Sequence, residues 1–384
     1  MLGILVLAEF LGHVLVWFAE AIFLKFHVVD STNLPYAKAF LTIFVVNVDR
    51  SLGMSEVIHW GIVGLGKIAR KFAHDLRFVS GAQLTAVASS DLARAQEFAQ
   101  EWGVVEAFGR YEEILQAQKL DVVYIATPHP QHFPLAHFFL RQGVAVLCEK
   151  PAGMNAREVK AMIQASQDHQ AFFMEAMWSR FMPSLRKAQE WIQAGLIGDL
   201  RHIRADFGYQ APTRLDRRAF NKELGGGSLL DIGIYPLFLG QWLAGAPMDQ
   251  IQAIAEFHPT GVDAATEMVV RYQNGVTGSY NATFLTNTRS EGYLYGSEGY
   301  IQLPTRFHDC QEITRFSLQH EVQETLTFPR GEAFGYCYEM EAVHEAIRNG
   351  WIEHPDMRHA DSLTLNETLD RVRKEIGLRY KQDD

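Results

Sequence analysis

Cysteine is scarce in this chain. There are three in 384 residues, Cys148, Cys310 and Cys337, far apart and never as C-x-x-C. That spacing excludes a disulfide framework and a zinc ribbon, and it fits a reducing compartment, so a cytoplasmic protein is expected. Positive charge is also short. Thirty-five Lys and Arg against 45 Asp and Glu leave a formal net charge of −10, which argues against nucleic acid as a partner. No internal repeat and no low-complexity linker interrupts the chain. What is abundant is apolar: 48% of residues are hydrophobic and 21% charged, the balance of a globular protein with a large core.

The opening segment stands apart. MLGILVLAEFLGHVLVWFAEAIFLKF is apolar and about as long as a membrane span, yet it has no Lys or Arg before Lys25 and carries Glu9 and Glu20 inside it. The missing basic flank weighs against a secretory signal, and the two carboxylates weigh against burial in lipid. No methionine falls between Met1 and Met54. The expectation is that residues 1–53 are an extension outside the fold and that the folded protein begins at Met54. A membrane anchor or an extra structural element are the alternatives.

From Met54 the pattern alternates. VIHWGIVG, QLTAVASS, DVVYIATP and VAVLCEK are short apolar runs that suit buried parallel strands; KIARKFAHDLRFV, DLARAQEFAQEWG and HFPLAHFFLRQG carry helical spacing between them. This predicts an α/β fold whose first part, residues 54–178, is a doubly wound parallel sheet of the Rossmann kind. After residue 178 the style changes. LRHIRADFGY alternates, Asn274-Gly275 marks a hairpin, and GYLYGSEGYIQL reads as another. Residues 179–384 are therefore expected to form an α/β domain with an open, mainly antiparallel sheet. Helices are expected over about 336–349 and 362–376, the last packing back on the first domain.

Gly64-x-Gly66-x-x-Ala69 lies between the first strand and the first helix. Gly64 permits a tight turn, Gly66 lets the backbone approach a pyrophosphate, and Ala69 lets the helix lie close to the strand; Lys67, Ile68 and Ala69 bring free N–H groups to a helix N-terminus. The next strand ends at Ser89-Ser90-Asp91, with Arg94 one turn on. An acid reading the ribose would select NAD. Ser89, Ser90 and Arg94 suit a 2′-phosphate, and Asp91 is equally a helix cap, so NADP is favoured with NAD possible.

Two strand ends are candidates for the chemistry. One runs Thr127-Pro128-His129-Pro130-Gln131-His132, the other Cys148-Glu149-Lys150-Pro151. A lysine fixed at a strand's carboxyl end would face a bound nicotinamide, though a solvated surface lysine is the commoner case. In GGGSLLDIGIYPL, Asp231 and Tyr235 are four apart and share a helix face. The alternative there is a capping box, Ser228-x-x-Asp231, with Tyr235 as core. Pro236 predicts a bend near Gly233. His129 and His132, with no third ligand nearby, do not make a metal site.

Together these pieces resemble the Gfo/Idh/MocA oxidoreductases over about residues 56–380, with GLGKIA, ATPHPQH, VLCEKPAGMN, MEAMWSRF, GDLRHIRADFG and GGGSLLDIGIYPL in the family's order. Within the family the chain looks most like the dimeric dihydrodiol dehydrogenases and NADP-dependent xylose dehydrogenases. The resemblance implies a Rossmann domain, an open-sheet domain that forms a homodimer, and an NAD(P)-dependent dehydrogenase acting on a vicinal diol or sugar. It implies catalytic roles for Lys150, Tyr235 and Asp231, dinucleotide contacts from His132 and Glu149, and substrate contacts from His129. Trp178, Arg180 and Phe207 are candidate pocket walls. Lys150 is expected to favour the tyrosinate form of Tyr235. Three positions depart from the family's commoner pattern. Tyr235 stands where many members have histidine, as in the dihydrodiol and xylose branch. Ser90 stands where that branch often has arginine, and His129 where the family often has asparagine. A non-catalytic dinucleotide sensor would keep the glycine loop without needing Lys150 and Tyr235 together.

Overall fold

The computed structural model describes residues 57–214 and 217–384, so the expectations for residues 1–53 lie outside the described residues. The first half follows the alternation read from the sequence. It runs β1 (Ile58–Val63), α1 (Lys67–Leu76), β2 (Ala82–Ala88), α2 (Leu92–Trp102), β3 (Glu106–Phe108), β4 (Val122–Ile125), α3 (His132–Arg141), β5 (Ala145–Glu149), α4 (Ala156–His169) and β6 (Phe173–Ala176). The six strands pair in parallel in the order β3-β2-β1-β4-β5-β6. Central strands show no period of two in polarity because both faces are covered. Trp60, Ile62, Tyr124 and Leu147 enter one core and Val63, Val123, Ile125 and Val146 the other. The strand order reverses between β1 and β4, which opens a crevice at their carboxyl ends.

The second half runs α5 (Pro183–Gln193), β7 (Leu200–Gly208), α6 (Ile234–Ala244), β8 (Met248–Phe257), β9 (Asp263–Tyr272), β10 (Thr277–Thr283), β11 (Gly292–Gly296), β12 (Gly299–Leu303), β13 (Glu312–Ser317), β14 (Val322–Thr327), α7 (Cys337–Asn349) and α8 (His359–Ile376). The strands form one sheet, β14-β13-β12-β11-β7-β10-β9-β8, antiparallel except for the β7–β10 pair. Both predicted hairpins are present, β9–β10 across Asn274-Gly275 and β11–β12. Gly275 sits at φ +87°, a conformation that favours glycine. Alternation decides the faces: Ile203, Ala205, Leu294 and Ile301 are buried beneath the helices, while Arg204, Val269, Tyr293 and Tyr300 stand on the other side.

Before α6, residues Leu229–Gly233 form a wide π turn. Pro236 has no N–H to return to the carbonyl of Ile232, so the first turn of a regular helix cannot close there. The expected cap at Ser228 does not form. Its hydroxyl donates to Asp263 Oδ2 at 2.7 Å, and Asp231 is left free for other partners. The last helix begins a turn earlier than expected, because Asp361 accepts the backbone N–H of Arg358 and pairs with its guanidinium. This helix packs on β8, α4 and α6. No helix among the described residues is long and apolar enough to cross a membrane.

Glu175 in β6 is fully buried, and its Oε1 accepts the N–H of Ala152 at 2.8 Å, tying the segment after Lys150 to the sheet. Burial pushes this carboxyl up to about 7. A raised acid holds its proton more tightly folded than unfolded, so stability falls as pH rises from the unfolded carboxylate range to the folded pKa. Glu175→Gln keeps the acceptor and removes the charge. Urea unfolding between about pH 5 and pH 8 should show a flatter stability curve for this variant than for the parent.

Candidate active site

A cleft of about 670 Å³ lies at the carboxyl ends of β1, β2, β4 and β5 and reaches the π turn before α6. Its floor is the glycine turn. Gly64 has φ +89°, and a side chain there would meet Thr127 Cγ2 at 2.7 Å and the backbone of Ala126 at 2.8 Å. Gly66 differs: a Cβ would meet nothing within 4 Å and would project into the cleft that Gly66 lines. The N-terminus of α1 has no side-chain cap and no acid in its first turn. Its exposed N–H groups and partial positive charge suit a pyrophosphate. Ala69 is fully buried and lets α1 lie against the sheet. These features fit a dinucleotide.

At the end of β2, Asp91 turns to α2, where its carboxylate accepts from the N–H groups of Ala93 and Arg94 at 2.9 and 3.4 Å. Ser89, Ser90 and Arg94 line the cleft instead, together with Lys67 and Ile68. No carboxylate among them faces the ribose end.

The chemistry-bearing groups meet at the other end. Lys150 Nζ donates to the carbonyl of Asp231 at 2.6 Å and lies 3.5 Å from Asp231 Oδ1. It also stands 4.7 Å from the centroid of the Tyr235 ring. Asp231 Oδ1 accepts from Arg218 Nη2 at 2.6 Å, and its charge, after burial, pushes the nearby Tyr209 phenol up. Burial opposes the charge on Asp231, but Arg218 and Lys150 outweigh it and hold the carboxyl below its ordinary value. Burial lowers Lys150, and the pull of Asp231 and Glu149 only partly restores it.

Two histidines brace this arrangement. His129 Nδ1 bonds the carbonyl of Gly225 at 2.9 Å, so Nδ1 carries the proton and Nε2 accepts from Arg218 Nη1 at 2.7 Å. Burial and the neighbouring Arg218 keep this ring neutral. His132 faces two carbonyls, Pro151 O at 2.8 Å and Thr127 O at 2.9 Å, and bridges the segments after β4 and β5. Burial takes its pKa down to about 4, so at neutral pH it donates to one of the two.

Tyr235 is 7% exposed, and its hydroxyl accepts from Trp178 Nε1 at 2.8 Å. Burial and the charge of Glu149 push this phenol well above its usual range. Burial thus opposes the tyrosinate that Lys150 is expected to favour. The ammonium lies over the ring, 4.7 Å from its centroid, and desolvation favours the neutral phenol.

The cleft wall gathers Thr127, Pro128, His129, His132, Glu149, Lys150, Trp178, Asp231 and Tyr235. Two expected wall residues lie elsewhere. Arg180 points away, pairing with Asp356 at 3.0 Å and stacking 4.3 Å over Trp242, because the 3₁₀ turn carrying Trp178 puts Arg180 on its other side. Phe207 sits behind Tyr235, 5.6 Å away, stacked on buried His308 at 4.4 Å. Sequence reading missed Arg218, Tyr209 and Tyr336. Arg218 comes from a stretch without periodicity, Tyr209 ends an alternating run that carries no sign of a site, and Tyr336 lies about a hundred residues downstream of Tyr235. Among the described residues no three His, Cys, Asp or Glu side chains converge as a metal site requires.

An anion-binding helix start and a buried lysine beside a phenol, in one crevice, define a nicotinamide-dependent oxidoreductase on a Rossmann scaffold. Comparison with known proteins gives the family. Residues 58–177 match the profile described as "Oxidoreductase family, NAD-binding Rossmann fold", and residues 185–302 match the GFO/IDH/MocA C-terminal domain. The chain belongs to the Gfo/Idh/MocA oxidoreductases, and it is an NAD(P)-dependent dehydrogenase. Trans-1,2-dihydrobenzene-1,2-diol dehydrogenase from Mus musculus is 37% identical over 331 residues, covering 85% of this chain and 99% of that protein. The Homo sapiens enzyme of the same name is 36% identical over 338 residues with the same coverage. Among solved structures, aldose–aldose oxidoreductase from Caulobacter crescentus superposes with a TM-score of 0.76 at 22% identity, covering 83% of this chain and 97% of that one. Levoglucosan dehydrogenase in complex with NADH and levoglucosan gives 0.75 at 21% identity, covering 84% and 98%.

Gly66→Val should weaken dinucleotide binding by at least about tenfold, since its side chain would occupy the phosphate cradle. Thermal unfolding should barely change, because nothing packs there. Fluorescence titration with NADPH beside a melting curve checks both.

Proposed function

We propose that this protein oxidises a vicinal diol or cyclic sugar with NADP, passing the hydroxyl proton to the Lys150–Tyr235 pair. The observation that carries this reading is the juxtaposition of Lys150 Nζ and the Tyr235 ring, 4.7 Å apart at the end of a cleft that begins on the glycine turn. The dihydrodiol dehydrogenases named above support the substrate class. The nicotinamide, when bound, takes or returns the hydride. This chain's residues manage the oxygen. Lys150 is the group whose pKa moves toward neutrality, so its amine is the better acceptor of the substrate's hydroxyl proton. Tyr235 stays a phenol and holds the same oxygen with a hydrogen bond, stabilising negative charge as it develops. Asp231, fixed by Arg218, orients Lys150 from behind. Trp178 sets the phenol's position.

Ser90 and Arg94 at the ribose end, with Asp91 turned to its helix, support NADP over NAD. The outer face of the eight-stranded sheet supports a homodimer. Tyr293, Tyr295, Tyr300 and Phe316 form a stacked ladder there, and Val269 and Ile254 are 59% and 73% exposed. An aromatic ladder with exposed aliphatic side chains further along the same face is what a second copy would cover.

Oxidation should need the neutral lysine, so kcat/KM should rise with pH through the lowered Lys150 pKa and then level. Lys150→Met should abolish that limb and cut turnover by orders of magnitude, while NADPH still binds. Tyr235→Phe should keep the limb and lose roughly ten- to a hundredfold in rate. Formation of reduced cofactor from NADP with a trans-dihydrodiol, xylose or related sugars gives the measurement; absence of turnover with every diol and sugar overturns the reading. Arg94→Ala should raise the KM for NADP by about tenfold and leave that for NAD nearly unchanged. Tyr300→Glu should shift the mass measured by light scattering toward one chain.

A further inference from the structure

Asp75 is a fully buried carboxylate near the end of α1, remote in sequence from Lys150, Asp231 and Tyr235. It accepts three consecutive backbone N–H groups: Phe334 N at 2.8 Å on Oδ1, and Gly335 N and Tyr336 N at 2.7 and 2.8 Å on Oδ2. His74 Nδ1 lies 3.1 Å from Oδ1. Three successive N–H groups can converge on one carboxylate only if the chain turns sharply. Gly335 supplies that turn at φ +112°, where a side chain would be strained and would meet Met182 Cε at 2.8 Å. The docked segment is also held from the side. Phe334 packs against His74 at 5.1 Å, with Lys71 Nζ 5.1 Å from its ring.

The residue delivered by this latch is Tyr336. It starts α7, lines the cleft, and stacks on Trp178 with ring centroids 4.5 Å apart and planes 21° apart. Trp178 in turn donates to the Tyr235 hydroxyl. One helix thus offers its N-terminus to the cofactor's phosphates and, from its far end, fixes the aromatic wall that sets the catalytic phenol. We infer that Asp75 is a positioning residue for the redox site, acting through Tyr336 and Trp178 on Tyr235. The inference rests on the function proposed for this cleft.

The test is a double-mutant cycle of Asp75→Asn and Tyr336→Ala. The asparagine amide replaces one acceptor oxygen by a donor that faces N–H, and so weakens the latch without removing volume. Asp75→Asn alone should lower kcat/KM by at least about tenfold while NADPH affinity stays within about threefold of the parent. In the Tyr336→Ala background the same change should cost less than about threefold. Near-ultraviolet circular dichroism should show Asp75→Asn altering the Trp178–Tyr336 stack, with no further change in the double variant. Gly335→Ala strains the same loop from its other side and should reproduce the phenotype; it takes over the test if Asp75→Asn does not fold. An equal loss in both backgrounds, or an Asp75→Asn enzyme like the parent, overturns the inference. If no substrate turns over in the parent protein, the proposed function fails, and the dichroism still decides whether Asp75 sets the stack.

Discussion

One buried carboxylate organises the site. Asp231 sits between the guanidinium of Arg218 and the ammonium of Lys150, and each of the three comes from a different part of the chain. Lys150 ends a parallel strand, Arg218 lies in an irregular stretch, and Asp231 rides on the π turn. Charges taken from water are costly unless they are paired and hydrogen-bonded. Here the pairing is completed by His129 on Arg218, its neutral tautomer fixed in turn by the carbonyl of Gly225. The network holds both halves of the cleft at a fixed spacing. Without it the lysine would have no reason to stay over the phenol.

The same geometry redistributes the acid–base work. A cation lowers a neighbouring phenol's pKa in proportion to its closeness to the oxygen, not to the ring. Lys150 stands over the ring, while burial and Glu149 act on the phenol in the other direction. Desolvation meanwhile presses Lys150 toward its neutral form. In the proposed reaction the two residues keep the partnership that a family likeness implies, with the proton accepted by nitrogen rather than oxygen.

Around this centre the two sheets play unlike parts. The parallel sheet is apolar on both faces and presents only its carboxyl edge, where the glycine turn and the two strand-end loops converge. The antiparallel sheet buries one face under α6 and leaves the other aromatic and open. One sheet makes the cleft and the other backs it, and the open face remains available for another copy of the chain.

Local pattern alone determined much of this. Alternating apolar runs and helical spacing gave the parallel sheet, because strands buried on both faces cannot disguise their continuity. Gly64 and Gly66 named the cradle, since a backbone that must approach a phosphate tolerates little else. Asn274-Gly275 gave its hairpin, and Pro236 forecast the irregular turn before α6 because a missing N–H acts on its own helix. The tertiary structure alone decided the rest. Arg218 and Tyr336 carry no local signature, for the groups they meet, Asp231 and His129 for one and Trp178 for the other, are brought to them by the tertiary fold. Arg180 and Phe207 looked like walls by proximity in sequence, but one turn's rotation and one stacked histidine took them elsewhere. The protonation states of Lys150 and Tyr235 belong to the same class. They follow from burial and from distances between separate segments, which no run of residues contains.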